Sequence, residues 1–411
     1  MPHPEAPVTK PAAMVRLVLK TAIWQAVAQF IEWQPFTLPR FLPVASFGNL
    51  LTNNLMRDES LKFLEKLLNT PSPSGHEAPG QKVWLDYAGK FADETYSDAY
   101  GNAVAVYNKG GSPRLMLAGH ADEIGMMVNF INSDGFIYVK KIGGVDPAIT
   151  KAQRVTIHTR KGPVRGVVGN VAPHLTKAEK DRKAPEIHDL FIDIGVASKK
   201  EALEIVRIGD PITLVDEFEI LRGDLAVSRA FDNRIGTFAV AETLRLLKES
   251  KKKINAEVCA VSNIMEEVGL LGARQIAYSL KPDAALVVDV THATDYPTVN
   301  QQQHGDVKIG KGPTLTHGGC MHREMVDRLE DLAKEAKIDL QHEATSASSG
   351  TDTDVIFWTR GGIPSALISL PNRYMHSPVE MVSLKDLEKI PQLMAAFAAS
   401  LKKNEQFKIK I

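Results

Sequence analysis

The chain has 411 residues, of which 44% are hydrophobic and 24% charged, which excludes a disordered polyelectrolyte and suits two or three domains around a large core. Its 49 Lys and Arg cancel its 49 Asp and Glu, so no net field favours nucleic acid or an anionic membrane as a partner. Two cysteines, Cys259 and Cys320, supply neither a disulfide framework nor a four-thiolate zinc site and fit a reducing, cytoplasmic setting.

No apolar run reaches the ~18 to 20 residues that a membrane-spanning helix needs. Residues 1–13 are Pro-rich and polar, and 14–33 are apolar but broken by Arg16, Lys20, Gln25, Gln29 and Glu32. That interruption is foreign to the centre of a signal peptide. Residues 1–55 therefore read as an N-terminal extension, partly disordered or forming one docked helix, with an interfacial helix as the alternative. Folded text begins near Met56, where an internal translation start is left open. Arg57-Asp58-Glu59-Ser60 opens a helix carrying Leu61, Leu64, Leu67 and Leu68 at helical spacing, and Thr70-Pro71-Ser72-Pro73-Ser74-Gly75 ends it. Strand-like runs follow at 103–107, 114–117, 254–262, 284–288 and 366–369, with amphipathic patterns at 234–248, 323–336 and 384–401. Apolar strands alternating with helices predict an α/β fold whose sheet is covered on both faces. Between about 126 and 222 the pattern changes to strand–turn–strand pairs, 127–131 with 136–140 and 154–159 with 164–168. These predict a small β-rich domain inserted into the α/β one.

Ligands of open α/β sheets collect at the carboxyl ends of strands. Here four predicted strand ends carry metal-type residues: His120-Ala121-Asp122-Glu123, Glu266-Glu267, Asp289 and His376. Asp232-Asn233, where the inserted segment returns, is a fifth. Each in isolation is ordinary: a polar strand edge, a solvated helix face, a turn or cap. As a set, two histidines and several carboxylates match the ligands of zinc-type ions. Counting one bridging carboxylate, five ligands suit two ions about 3.5–4 Å apart, each with an open position. Other candidates read as loops: His174, His188, His304 and His342 lie in no motif, and His292 and Asp295 are polar loop residues or pocket lining. The string His317-Gly318-Gly319-Cys320-Met321-His322 looks like a metal cluster but has one thiol and precedes an amphipathic helix.

The motifs Gly119-His120-Ala121-Asp122-Glu123-Ile124-Gly125, Ser228-Arg229-Ala230-Phe231-Asp232-Asn233-Arg234, Glu266-Glu267-Val268-Gly269, Val288-Asp289-Val290-Thr291, Gly350-Thr351-Asp352 and Arg373-Tyr374-Met375-His376-Ser377-Pro378 carry a specific likeness. From about residue 56 to residue 401 the chain resembles the tetrahedral aminopeptidases, a dinuclear-metal family including glutamyl and deblocking aminopeptidases, some labelled cellulase M. The resemblance implies a three-layer, zinc-peptidase-like catalytic domain with a mixed central sheet over 56–125 and 223–411. It also implies a barrel-like insert over 126–222 that mediates dimerisation. It assigns Asp232 as the bridging ligand, His120 and Asp289 to one ion, and Glu267 and His376 to the other. Glu266 becomes the general base, Asp122 the residue holding His120, and the Asp232–Asn233 peptide cis. Two divalent ions per subunit are implied, zinc first, with cobalt or manganese as alternatives. The partners implied are peptides and further copies of the chain, as dimer units building a dodecamer.

The expected reaction is removal of the N-terminal residue of a peptide by an activated water. The alternatives are a metal-dependent deacylase of N-acyl amino acids, a glycan hydrolase as the cellulase label would have it, and a non-catalytic assembly protein. A glycosidase normally needs a carboxylate pair without metal, and an assembly protein would have lost a ligand or the base.

Overall fold

The structure, a computed structural model, describes residues 56–175, 184–409 and 411; the expected extension over residues 1–55 lies outside them. Helix α1 (Asp58–Asn69) buries Phe63, Leu64, Leu67 and Leu68. Asp58 and Glu59 in its first turn and Lys66 in its last complement the helix dipole. Helix α2 (Ala78–Ala88) has a proline in its first turn, where a missing N–H costs nothing. Its buried Trp84 donates from Nε1 to the Thr237 carbonyl at 2.7 Å.

Three strands then lead to the site: β1 (Glu94–Ser97), β2 (Ala103–Tyr107) and β3 (Arg114–His120). Five residues after His120 the chain enters a closed barrel of β4 (Gly125–Ile131), β5 (Ile137–Ile142), β6 (Arg154–Thr159), β7 (Gly162–Val168), β8 (Phe191–Asp193) and β9 (Pro211–Leu214), in the order β4-β5-β8-β7-β6-β9. The barrel has a core of its own, including Val128, Ile137, Val155, Ile157, Ile192 and Ile212. Strands β8 and β9 are three and four residues long, too short to show a period in the sequence. The chain returns through β10 (Glu219–Arg222) and β11 (Leu225–Ser228) into helix α3 (Phe231–Ser250).

The remaining strands are β12 (Glu257–Asn263), β13 (Ala284–His292), β14 (Thr314–Gly318), β15 (Gln341–Thr345), β16 (Ser365–Asn372) and β17 (Glu380–Ser383), with helices α4 (Leu271–Leu280), α5 (Arg323–Ala336) and α6 (Leu384–Ser400). The main sheet is mixed, in the order β1-β2-β12-β3-β13-β16-β14-β15. Its central strands β12, β3, β13 and β16 are parallel. They are buried almost throughout, the pattern of a sheet covered on both faces. Helix α3 packs on β3, β12 and β13. Gly119 permits this: a Cβ there would lie 2.4 Å from the Gly236 carbonyl carbon. Asp232 and Asn233 have non-helical dihedrals and are joined by a cis peptide, so regular helix begins at Arg234.

Candidate metal centre

Parallel neighbours β12, β3, β13 and β16 end on one side of the sheet, with Asn263 paired to His120 and Asp289 to Ser369. That edge gathers the residues whose sequence positions are furthest apart. His120 is the buried last residue of β3, Asp289 lies near the end of β13, Glu266 and Glu267 follow β12, and His376 follows β16. The non-helical opening of α3 delivers Asp232 between them.

Two donor triads result, His120–Asp232–Asp289 and Asp232–Glu267–His376, each with its donor atoms within 4.8 Å of one another. Asp232 belongs to both. Its Oδ1 is 3.2 Å from His120 Nε2, while its Oδ2 is 3.3 Å from His376 Nε2. Asp289 Oδ1 is 3.9 Å from His120 Nε2, and Glu267 Oε2 is 3.6 Å from His376 Nε2. Glu266 stands outside both triads, its Oε2 3.6 Å from His120 Nε2.

Buried acceptors hold this arrangement. Asp122 takes the Glu266 N–H on Oδ1 at 3.0 Å, and the Glu267 N–H and the Ser74 hydroxyl on Oδ2 at 3.1 and 2.7 Å. Its Oδ1 also lies 3.3 Å from His120 Nδ1, but off hydrogen-bond alignment, so that ring nitrogen has no partner. Asp122 thus orients the paired glutamates as well as facing the histidine. Glu380 accepts the N–H of Asp232 at 2.9 Å and that of His376 at 3.0 Å, one on each oxygen. Glu123 is clasped by Arg229 and Arg234, and Arg234 also donates to the Leu67 and Leu68 carbonyls, both at 2.8 Å. From the barrel side, Gly143 and Gly144 close on the centre. A Cβ on Gly144 would lie 2.5 Å from His376 Nδ1, and one on Gly143 would lie 3.0 Å from Glu267 Oε2.

The electrostatics follow from crowding. Burial, opposed by His120 but reinforced by Asp352, Asp232 and Asp122, pushes Glu266 up to about 8. Burial and the neighbouring Asp232 raise Glu267, and burial with Asp232 and Glu266 raises Asp289, both well above the carboxylate range. Burial also lifts Glu380, with Asp232 adding to it. Asp232 is the exception: burial opposes its charge, yet His120 and His376 hold it below the usual value. Burial resists charging of His120, but Glu266, Asp122 and Asp232 raise it; Asp232 raises His376. A buried site with more carboxylates than its two imidazoles can neutralise is costly unless cations enter. Imidazole and carboxylate donors in two triads, one carboxylate facing both, fit divalent ions.

Several residues lay beyond sequence reasoning. Glu380 had only its nearness to His376 as a signal, and Ser74 had none. Asp352, singled out in the sequence only as part of the Gly350-Thr351-Asp352 motif and given no role there, accepts from Asn263 Nδ2 at 2.6 Å and keeps its Oδ1 unpartnered. Asp295 is no free pocket carboxylate but forms a two-bond pair with Arg373, at 2.8 and 2.6 Å. The string from His317 to His322 comes apart: Cys320 Sγ donates to Asp354, and His322 packs on Phe407.

A mixed α/β sheet with this donor set at its carboxyl edge defines a metallopeptidase-type hydrolase. The chain belongs to the M42 glutamyl aminopeptidase family, whose model matches residues 101–393. It is 34% identical over 344 residues to a lysyl aminopeptidase of Pyrococcus furiosus, covering 83% of this chain and 97% of that one. Among solved structures, a TET aminopeptidase from a marine-sediment Thaumarchaeota archaeon superposes with TM-score 0.80 at 34% identity, covering 84% of this chain and 97% of the other. The TET1 peptidase of Pyrococcus horikoshii, which can assemble into a tetrahedron or a large octahedral shell, superposes with TM-score 0.74 at 31% identity, covering 83% and 100%. The protein is a metal-dependent aminopeptidase. Among the described residues no helix is long and apolar enough to cross a membrane.

Proposed function

We propose that the enzyme removes the N-terminal residue of peptides with two divalent ions, zinc first among them, and with Glu266 as general base. The observation that carries this reading is Asp232, whose two oxygens face different histidines in two separate triads. His120 and Asp289 would hold one ion, Glu267 and His376 the other, and Asp232 both. Ions bound there would supply Lewis acidity, acidifying a water and polarising the scissile carbonyl. Glu266, beside the triads but in neither, takes the proton of the attacking water and returns it to the leaving amine. Asp122 fixes the backbone of both glutamates, and so separates the base from the ligand next to it. The carboxylates around the centre attract the free amine of the substrate, which restricts cleavage to the first residue.

Residues 126–222 serve in this reading as a dimerisation domain inserted into a catalytic domain of 56–125 and 223–411, with 1–55 as an extension. The shells formed by the related TET1 peptidase support a homo-oligomer, for which dimers joined through this insert would be the building units. A cytoplasmic site of action accords with two unpaired cysteines.

Glu266→Gln tests the base. Turnover of an aminoacyl chromogenic substrate should fall by roughly 10²–10⁴-fold, while metal content measured by mass spectrometry stays at the parental level. Retained turnover, or loss of metal with the activity, would refute the assignment.

A further inference from the structure

The sheet carries a second cluster of metal-type donors that shares no residue with the centre above. His317 lies on β14, His342 on the edge strand β15, and Glu330 on α5, which packs over β14. Their donor atoms lie within 4.8 Å of one another. His317 Nε2 and His342 Nδ1 are 2.9 Å apart, and Glu330 Oε1 is 3.8 Å from the first and 4.0 Å from the second.

These separations can be set against what an ion demands. Two nitrogens at about 2.0–2.1 Å from a tetrahedral zinc sit roughly 3.3 Å apart. The two imidazoles need to part by a few tenths of an ångström, and the glutamate to close by somewhat more. The catalytic triads require shifts of the same order, with separations of 3.2 to 3.9 Å. His317 Nε2 and His342 Nδ1 face one another, so one donates a hydrogen bond to the other; loss of that proton frees a lone pair on each nitrogen, and a small turn of the rings would direct both at an ion. Among the described residues no lysine or arginine pairs with Glu330; its only basic partners within 4.0 Å are these two histidines. The side chains are 42%, 50% and 29% exposed for His317, His342 and Glu330, so an ion can enter from solvent.

We propose that His317, His342 and Glu330 form a separate surface site for a borderline divalent ion, for which zinc is the natural probe. Two imidazoles and a carboxylate leave the fourth position to water, and imidazole donors select late first-row ions over magnesium or calcium. The ion would tie the edge strand β15, whose backbone ladder among the described residues is with β14 alone, to β14 and α5 at once. Its role is a staple on an otherwise half-open edge.

The test strips full-length protein with a chelator, adds Zn2+ alone, desalts, and counts zinc per subunit. His317→Ala and His342→Ala should each carry one zinc per subunit fewer than the parent, with peptide turnover unchanged. Equal zinc in the parent and both folded variants overturns the site. If the variants fail to fold, crystals of the parent soaked in Zn2+ decide. An anomalous peak between His317, His342 and Glu330 supports the proposal, and its absence beside an occupied catalytic centre overturns it.

Discussion

Individual side chains set the chemistry through crowding. Raised carboxyls at Glu266, Glu267, Asp289 and Glu380 bind more protons in the folded, metal-free state than in the unfolded one. Stability contributed by such groups falls as pH rises from the ordinary carboxylate range toward the raised value, about 8 for Glu266. His120, also raised, is stabilising below its unfolded value and loses that contribution as pH rises, so the signs agree. Calorimetry of chelator-treated enzyme should therefore show a lower Tm at pH 8 than at pH 6, and added divalent ion should flatten the dependence. A metal-free Tm that rises over this interval contradicts the account. Glu380 offers a second residue-scale test. Each of its oxygens accepts one backbone N–H, from Asp232 and from His376. In Glu380→Gln an amide NH2 would face one of those donors, so metal affinity should drop by about 10–100-fold, readable in a metal titration.

Elements explain how such a cluster can exist at all. Helix α3 approaches β3 closely only because Gly119 and Gly236 meet without side chains, which brings Asp232 over His120. The barrel contributes too, since Gly143 and Gly144 directly follow β5 and press against Glu267 and His376. Gly144→Ala places a methyl group at 2.5 Å from the His376 ring. It should weaken metal binding by about 10-fold or more while the Tm of the metal-free protein stays near the parental value, as a titration and a melt together would show. The strands of the central sheet were legible in the sequence as apolar runs, because burial on both faces removes polar residues from them. Strands β14 and β15 were not: β14 buries threonines around a single leucine and β15 is a half-exposed polar segment, so neither shows an apolar run.

For the whole molecule, metal, fold and activity are linked. Ions that bind only the folded state add stability that grows with their concentration, about 2.7 kcal/mol per site at a hundredfold excess over Kd. Exhaustive chelation should abolish peptide hydrolysis and lower the Tm at neutral pH, and divalent ion added back should restore both. Restored stability without activity would separate the ions' structural role from their catalytic one. That His and carboxylate side chains gather at strand ends was readable from the chain, because metal donors belong to few residue types; the proposed choice of His120, Asp232, Glu267, Asp289 and His376 as ligands rests on the resemblance and on the two triads. The β-rich segment was readable from paired runs and turns. Only the tertiary structure decided that Asp232 faces two histidines, that Glu380 and Ser74 brace the centre, and that His317 meets His342 and Glu330. Those contacts depend on strand order and on approach distances between elements remote in the chain, and no local pattern of residues encodes such distances.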